Sequence, residues 1–321
     1  MKRLTLAAAL IVGTLSPASA GRFGGSEPFD FLFLDGGALQ AAVGGAFAAG
    51  GGDANTITYN PAGLAAHEEN HVSLMRHTLF QGVTRDHVAL SFRNGFGLSL
   101  DRVKFGTLRR TTLAAPNGEG QGEFGATSQS LAGGFGWMAT DRLSFGWSGK
   151  YIQESIDGTR AKAFAADLGA QYILSSYPLW RLGVAVQNIG GKTRFESNRE
   201  QLPLIIRWGS AIRFPLFGRT FGFLADIEQD PGGRITPHAG ITTIFAPPLH
   251  LRLGFNGRND AGIGITAGFG LAWRGVSFDY AMVPFGGLGT SHLMSFGFRW
   301  GPPVEGRVLP DPAGKFFENN P

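Results

Sequence analysis

His67-Glu68-Glu69-Asn70-His71 is the stretch whose residue types and spacing could do chemistry. It matches H-E-x-x-H, in which two histidines one helical turn apart hold zinc and the glutamate acts on a zinc-bound water. That arrangement needs one helix running through both histidines. From Val72 onward, however, apolar and polar residues already alternate, and a helix continued through His71 would consume that strand. The stretch therefore reads as a polar hinge, not a zinc centre. Gly36 to Gly45, GGALQAAVGG, is no phosphate loop, because no Lys-Ser or Lys-Thr pair follows. No G-x-S-x-G occurs. Ser291 and His292 are neighbours in a strand and point to opposite faces, so they do not converge as triad members. These readings predict a protein that is not an enzyme, with no catalytic residues, no metal and no cofactor.

The chain begins as an exported one. Lys2 and Arg3 precede an apolar run from Leu4 to Val12, and Ala18-Ser19-Ala20 fits a small-residue cleavage site. The run is too short to span a bilayer, so residues 1–20 read as a signal peptide cleaved after Ala20. No cysteine follows, which excludes a lipoprotein anchor, and none occurs anywhere, which excludes disulfide and thiol chemistry. The 28 Lys and Arg against 24 Asp and Glu give +4; losing Lys2 and Arg3 leaves 26 against 24, or +2, and no case for nucleic acid. No later run is long enough for a transmembrane helix, yet 43% of the residues are hydrophobic. That apolar content has to sit on one face of many strands.

The clearest strand is 143–151. Leu143, Phe145, Trp147 and Tyr151 point one way, and Ser144, Gly146, Ser148 and Lys150 the other. About fourteen such segments follow one another: 72–78, 85–92, 96–103, 126–138, 143–154, 161–174, 180–187, 204–214, 220–228, 235–245, 250–256, 262–273, 276–282 and 292–300. The predicted fold is all-β, a transmembrane antiparallel barrel over residues 70–300 in a Gram-negative outer membrane, in contact with its lipid. The connections sort by parity. Even-numbered ones such as 93–95, 139–141 and 274–275 are short, while the two longest, 104–125 and 188–201, are odd-numbered. Short periplasmic turns and long outer loops give that asymmetry. Trp137, Tyr172, Trp180, Trp273 and Trp300 fall near strand ends, where a membrane interface favours half-wet rings. After Trp300, residues 301–321 carry Pro302, Pro303, Pro310 and Pro312 and read as a periplasmic tail.

One long part of the mature chain does not alternate. Gly36 to Ala66 reads GGALQAAVGGAFAAGGGDANTITYNPAGLAA. Ala38 to Val43 is helix-prone, Gly44 and Gly45 interrupt it, and Gly50-Gly51-Gly52 is read as a flexible joint. Asn60-Pro61-Ala62-Gly63 places an N-cap residue before a proline suited to the first helical position. Residues 21–69 are therefore expected to form a small helical hatch inside the barrel. The hatch motif is Gly44, Gly45, Asn60, Pro61, Ala62 and Gly63.

The pattern GGALQAAVGGAF followed by DANTITYNPAGLA resembles the N-terminal region of the PorV/PorQ family, within the FadL-type outer-membrane barrels. The motif likeness spans about Gly36 to Ala65. It departs at Leu39, where an arginine is usual, and at the glycine insertion Gly50 to Gly52. FadL-type resemblance implies passive uptake of a small hydrophobic compound, bound at an extracellular opening and leaving through the wall or past the hatch. PorV-like resemblance implies instead a component of a protein secretion or surface-assembly system. The partner is accordingly a hydrophobic ligand or a secretion partner. An apolar channel would favour the first, a filled lumen the second.

Lumen-facing charged candidates are Asp101, Lys150, Asp167, Arg181, Arg207, Asp226, Arg252, Asp279 and Arg299, with Arg213 and Glu228 in phase with them. Both signs occur, so they can pair with one another or hold the hatch. The same face carries many glycines, Gly97, Gly136, Gly146, Gly169, Gly183 and Gly254 among them. Two readings of these stand open: close approach of hatch backbone, or curvature of the wall.

Overall fold

The computed structural model describes residues 29–191, 193–195 and 198–302; the expected signal peptide and the tail beyond Pro302 lie outside the described residues. Seven strands form the first half of a barrel: β1 (Asn70–Thr78), β2 (Thr84–Ser91), β3 (Phe96–Arg109), β4 (Glu123–Met138), β5 (Leu143–Ile156), β6 (Thr159–Ser176) and β7 (Leu179–Gly190). A separate hairpin, β8 (Thr193–Phe195) and β9 (Asn198–Glu200), interrupts the series. The second half is β10 (Ile205–Leu216), β11 (Arg219–Gln229), β12 (Ile235–Ala246), β13 (Leu249–Asn256), β14 (Ile265–Trp273), β15 (Val276–Pro284) and β16 (Thr290–Trp300). The fourteen barrel strands are all antiparallel, and β1 closes on β16 from Asn70 opposite Trp300 to Thr78 opposite His292. Closure pairs the backbone around the full ring, which is what hydrocarbon surroundings require. The end at which β1 begins and β16 finishes is called the near end below.

Alternation sets what faces where. In β5, Ser144, Gly146 and Ser148 turn inward, and Phe145 and Trp147 turn out, Trp147 with 49% of its surface exposed. The same holds around the ring, so the barrel wears an apolar exterior. Strand direction brings Trp137, Tyr172, Trp180, Trp273 and Trp300 all to the near end. Trp137 packs against Phe145 and Trp300 stacks on Phe298, a one-sided girdle of half-exposed rings.

The strands nearest the long third connection run further than their alternation suggested. β3 and β4 stay paired out to Arg109 opposite Glu123, past an irregularity between Lys104 and Thr107 at which Gly106 takes φ 74. Beyond it, residues on both faces are exposed. A ladder with water on both sides needs no apolar face, so the pattern vanishes while the pairing persists. β1 begins at Asn70, two residues before the expected boundary.

The hatch fills the ring. After a 3-10 turn at Asp30–Phe33 come α1 (Ala38–Ala42), α2 (Thr56–Tyr59) and a second 3-10 turn, Pro61–Ala66. α2 has the sequence Thr-Ile-Thr-Tyr, poor helix formers read in isolation. It forms because Asp53 Oδ1 accepts from Asn55 N at 2.8 Å and Thr58 Oγ1 donates to Asn55 O at 2.7 Å, closing the turn locally. Glycines of the wall admit this backbone. A Cβ at Gly146 would stand 2.3 Å from Pro61 C and 2.4 Å from Ala62 N, and one at Gly254 would stand 2.2 Å from Gly44 N. Close approach therefore accounts for these wall glycines. Gly270 and Gly297 differ, since the nearest atoms to an added Cβ there are wall side chains.

Gly146→Ala should accordingly lower the unfolding transition of the purified barrel by the overpacking cost of about 1–3 kcal/mol. Gly149→Ala, on the same strand where an added Cβ meets nothing within 4 Å, should leave it unchanged. Equal behaviour of the two variants in a heat-modifiability gel would contradict the seam.

Candidate functional site

With so little regular structure, the hatch leaves main-chain groups that its own helices cannot satisfy, and inward side chains of the wall take them. Asp226 Oδ2 accepts from Phe47 N and Ala48 N, both at 2.8 Å. Gln171 Nε2 donates to Ala48 O at 3.0 Å and Gly50 O at 2.7 Å. Arg207 donates to Gly45 O at 2.9 Å, Arg181 to Ala49 O at 3.4 Å and Arg299 to Gly52 O at 2.8 Å. Gln187 and Thr266 reach Thr58 O and Ala42 O, and Ser295 Oγ accepts from Ala38 N. The joint at Gly50 to Gly52 is thus buried and tethered, with Gly50 N also bonded to Phe47 O, instead of loose as its composition suggested.

The hatch motif divides into two uses. Gly44 and Gly45 adopt φ 69 and 78, and Gly44 lies against the Phe255 backbone so closely that an added Cβ would stand 2.3 Å from Phe255 O. Asn60 Oδ1 accepts from Ala62 N at 3.1 Å, capping the turn that Pro61 starts. Its Nδ2 donates to Ala48 O, Ala170 O and Val184 O at 2.8 to 3.2 Å, tying that turn to a second hatch segment and to β6 and β7. Ala62 is buried, and a Cβ at Gly63 would meet Thr56 Cγ2 at 2.1 Å. Leu39 lies in an apolar cluster with Phe47, Ile173, Leu179 and Leu224, an environment that suits leucine better than arginine.

Inward charges pair across strands. Lys150 and Asp167 lie 2.8 Å apart, Arg207 and Asp226 3.6 Å, and Arg252 and Asp279 2.6 Å. Asp101 takes Arg85, whose Nε donates at 2.7 Å, and Glu228 takes both Arg207 and Arg258. Arg85, His87, His238, Asp35 and Tyr59 belong to this network and were not singled out from sequence. Arg85 and His87 were findable, since they share the parity of Ala89 and Ser91 in β2. Asp35 and Tyr59 have no periodic signal. Tyr59 donates to Asp35 Oδ1 at 2.7 Å, and burial first, then the Asp35 charge, pushes its hydroxyl well above the usual range, so it stays a donor.

The H-E-x-x-H stretch is split by the end of the hatch and the start of β1. His67 and His71 are both buried, with Glu68 and Glu69 only partly so between them. His67 Nδ1 lies 3.0 Å from Ser91 Oγ, and His71 Nδ1 accepts from Ala54 N at 2.9 Å. Burial lowers the His67 pKa to about 3, which keeps the ring uncharged at neutral pH. No group of three His, Asp or Glu among the described residues could hold a metal ion.

A cavity remains on the side of the hatch away from the near end, floored by Gly45, Thr58 and Tyr59. Its wall is charged and polar, with Arg85, Asp101, Lys150, Arg207 and Glu228, and Leu32 and Leu34 bring apolar surface. Phe29 and Phe31 pack further out with Val103, Ile152, Ala161, Ala163, Ala165 and Leu202, an apolar cluster at the far mouth. One side of the cavity reaches Gln187 and Asn188, where a bulge, called the β6–β7 break below, shifts the register between Ala166 and Leu168 while pairing continues on both sides of it. There Asn188 takes φ 60 and gives its N–H to Asp167 Oδ1 at 2.8 Å, and Lys150 Nζ donates to Asn188 Oδ1 at 2.9 Å. Outside the break stand exposed Leu168 and Ile189. The strand β10 first pairs with β7 at Ile205 opposite Gln187, so past Gln187 no β10 ladder flanks β7.

The fold is similar to that of monoaromatic hydrocarbon channels. The P. putida toluene transporter TodX superposes with a TM-score of 0.56 over 83% of this chain and 99% of that one, at 14% identity. A TodX deltaS2S3 mutant monoaromatic hydrocarbon channel gives 0.56 at 15% identity, covering 82% of this chain and 99% of that one. The CymD monoaromatic hydrocarbon channel gives 0.52 at 12% identity, over 84% of this chain and 98% of that one. No family model matches the sequence, and no curated protein matches it. The likeness to the channels is one of fold.

Asn60 separates capping from tethering. Asn60→Asp keeps an acceptor for Ala62 N but removes the donor to three carbonyls, whereas Asn60→Ala removes both. Loss of the cap costs about 1 kcal/mol, and each carbonyl stranded in the interior adds roughly 1–3 kcal/mol. Both variants should therefore loosen the hatch, seen as faster hydrogen exchange over residues 44–66 while the barrel ladder stays protected. Exchange unchanged in Asn60→Asp would assign the whole role to the cap.

Proposed function

We propose that this protein is an outer-membrane barrel, cleaved after Ala20, that passes small hydrophobic compounds without an energy source or catalysis. The solute enters at the far mouth, rests in the cavity above the hatch and leaves sideways into lipid at the β6–β7 break. The observation that carries this reading is the cavity that reaches a bulged stretch of wall at Gln187 and Asn188. The similarity of fold to channels described as carrying toluene and monoaromatic hydrocarbons supports the choice of solute. Passage through the hatch is the poorer route, because its backbone is held by side chains from around the ring. In this reading the near end, with its aromatic girdle and short turns, faces the periplasm, and β3 to β6 project outward. The ligand is a small molecule, with no nucleic acid and no cofactor involved.

A second reading has one observation in its favour. The lumen beside and below the cavity is filled, which is what a PorV-like secretion component would need for a rigid rim on which to seat a partner. The chain's finer kinship to PorV/PorQ proteins belongs to this reading.

Cysteines placed at Ala166 and Ile189, which pair across β6 and β7 beside the bulge, should stop toluene uptake by proteoliposomes when oxidised and restore it on reduction. The native chain has no cysteine to confuse the result. Uptake unaffected by the closed cross-link removes the lateral exit. Wild-type barrel, verified as folded, that carries toluene no faster than empty vesicles shifts the choice to the secretion reading.

Orientation has its own check. A cysteine at Asn117 should react with an impermeant maleimide on intact cells, and one at Thr140 should not. The reverse pattern would invert the barrel.

A further inference from the structure

His87 lines the cavity and is 1% exposed. Its Nδ1 faces Asp101 Oδ2 at 3.4 Å, and Asp101, paired with Arg85, can only accept. A ring carrying one proton therefore keeps it on Nδ1, and Nε2 becomes an acceptor. Among the described residues neither ring nitrogen makes a hydrogen bond; Nδ1 at least has the Asp101 carboxylate beside it, and Nε2 has no such contact. A buried acceptor left empty is costly, so the site calls for a donor from the cavity. His238 is built differently. Its Nδ1 must donate to Gly44 O at 2.8 Å, which leaves Nε2 an acceptor 3.5 Å from another acceptor, Glu228 Oε2, so no hydrogen bond forms there and a carboxylate already stands beside it.

Register makes His87 one end of a continuous patch. His87 stands opposite Asp101, Asp101 opposite Ser130, Ser99 opposite Ala132, and Ala132 opposite Lys150. The small side chains Ser99, Ser130 and Ala132 line the cavity between the imidazole and the lysine. Lys150 is already engaged by Asp167 and Asn188, and the Arg85 charge by Asp101, so the patch offers no unpaired cation to an anion. Leu32 and Leu34 supply apolar surface to the same cavity.

We propose that this patch binds small neutral hydrophobic compounds bearing a hydroxyl, phenols above all, with the O–H donated to His87 Nε2. The proposal deepens the uptake reading, which supplies the route to the cavity. A hydrocarbon could fill the space but would leave Nε2 empty. An ether or carbonyl compound brings only acceptors, and a carboxylate would also set its charge near Asp101.

The test is ligand-observed NMR titration of the whole purified protein in detergent with phenol, anisole, toluene and benzoate. Phenol should bind about tenfold more tightly than anisole or toluene, the effect of one hydrogen bond made in a dry site. Benzoate should be weakest. His87→Phe should bring phenol down to the level of anisole and leave toluene unchanged. The wild-type comparison of phenol with anisole needs no variant and stands even if His87→Phe fails to fold. Equal binding of phenol and anisole would mean that water occupies Nε2, and tighter binding of benzoate that the ring presents an N–H; either overturns the proposal, as does no binding of any probe. Vesicle flux of toluene is measured separately. Phenol selectivity without toluene flux would sink the uptake reading and leave the site, and flux without selectivity would do the opposite.

Discussion

The structure depends on one constraint: an almost unstructured segment is enclosed in a barrel, and its main chain must be satisfied there. A five-residue α1 and a four-residue α2 supply few internal hydrogen bonds. The remaining amides and carbonyls must find partners on the wall, since a buried orphan costs about as much as several good contacts return. Asp226, Gln171, Arg207 and Arg299 answer this need from different parts of the ring, and Asn60 does so from within the hatch. The barrel's inner face is therefore written largely in terms of the hatch backbone, with a few hatch side chains such as Asn60 and His67 also meeting it. That explains why the same face alternates between long polar residues and glycine. Polar residues reach the main chain, and glycines let it come close enough to be reached.

The charges follow from the same constraint. Arg207 serves a hatch carbonyl and must be neutralised, and Asp226 and Glu228 do so on the neighbouring strand. Breaking one member of such a set leaves a charge stranded in the lumen, a heavier cost than any surface pair could impose. The hatch is thereby fixed as a body.

Much of this was legible from the chain. Period-two alternation in segments such as 143–151 needs only the rule that one face meets lipid, so strand number, order and lumen parity could all be read. Asn60-Pro61 declared its cap because that signal is local. Several features escaped, three of them for plain physical reasons. The outer extensions of β3 and β4 lost their pattern once both faces met water. The helix α2 was hidden because Thr-Ile-Thr-Tyr forms it only with Asp53 and the threonine hydroxyls closing the turn. The roles of Asp35 and Tyr59 depend on a contact 24 positions apart within an aperiodic segment. The H-E-x-x-H spacing shows the opposite error, a pattern without its setting. The two histidines fall on either side of a turn-to-strand junction, and each was absorbed by the nearest hatch or wall partner.

The wall break gains its meaning from the stiffness around it. A barrel strand can part from its neighbour only where lost ladder bonds have substitutes. Between β6 and β7 the substitutes are already in place: Asp167 takes the Asn188 amide, Lys150 holds both side chains, and Asn188 Nδ2 reaches Pro203 O. A gap without such substitutes would expose amides and carbonyls to hydrocarbon with nothing to receive them. Side-chain bonds of this kind can exchange one at a time as rotamers change, whereas a ladder must open in register. If a solute leaves through the wall, the stretch where side chains already stand in for backbone is the one with the lowest barrier. It is also the stretch that the cavity touches.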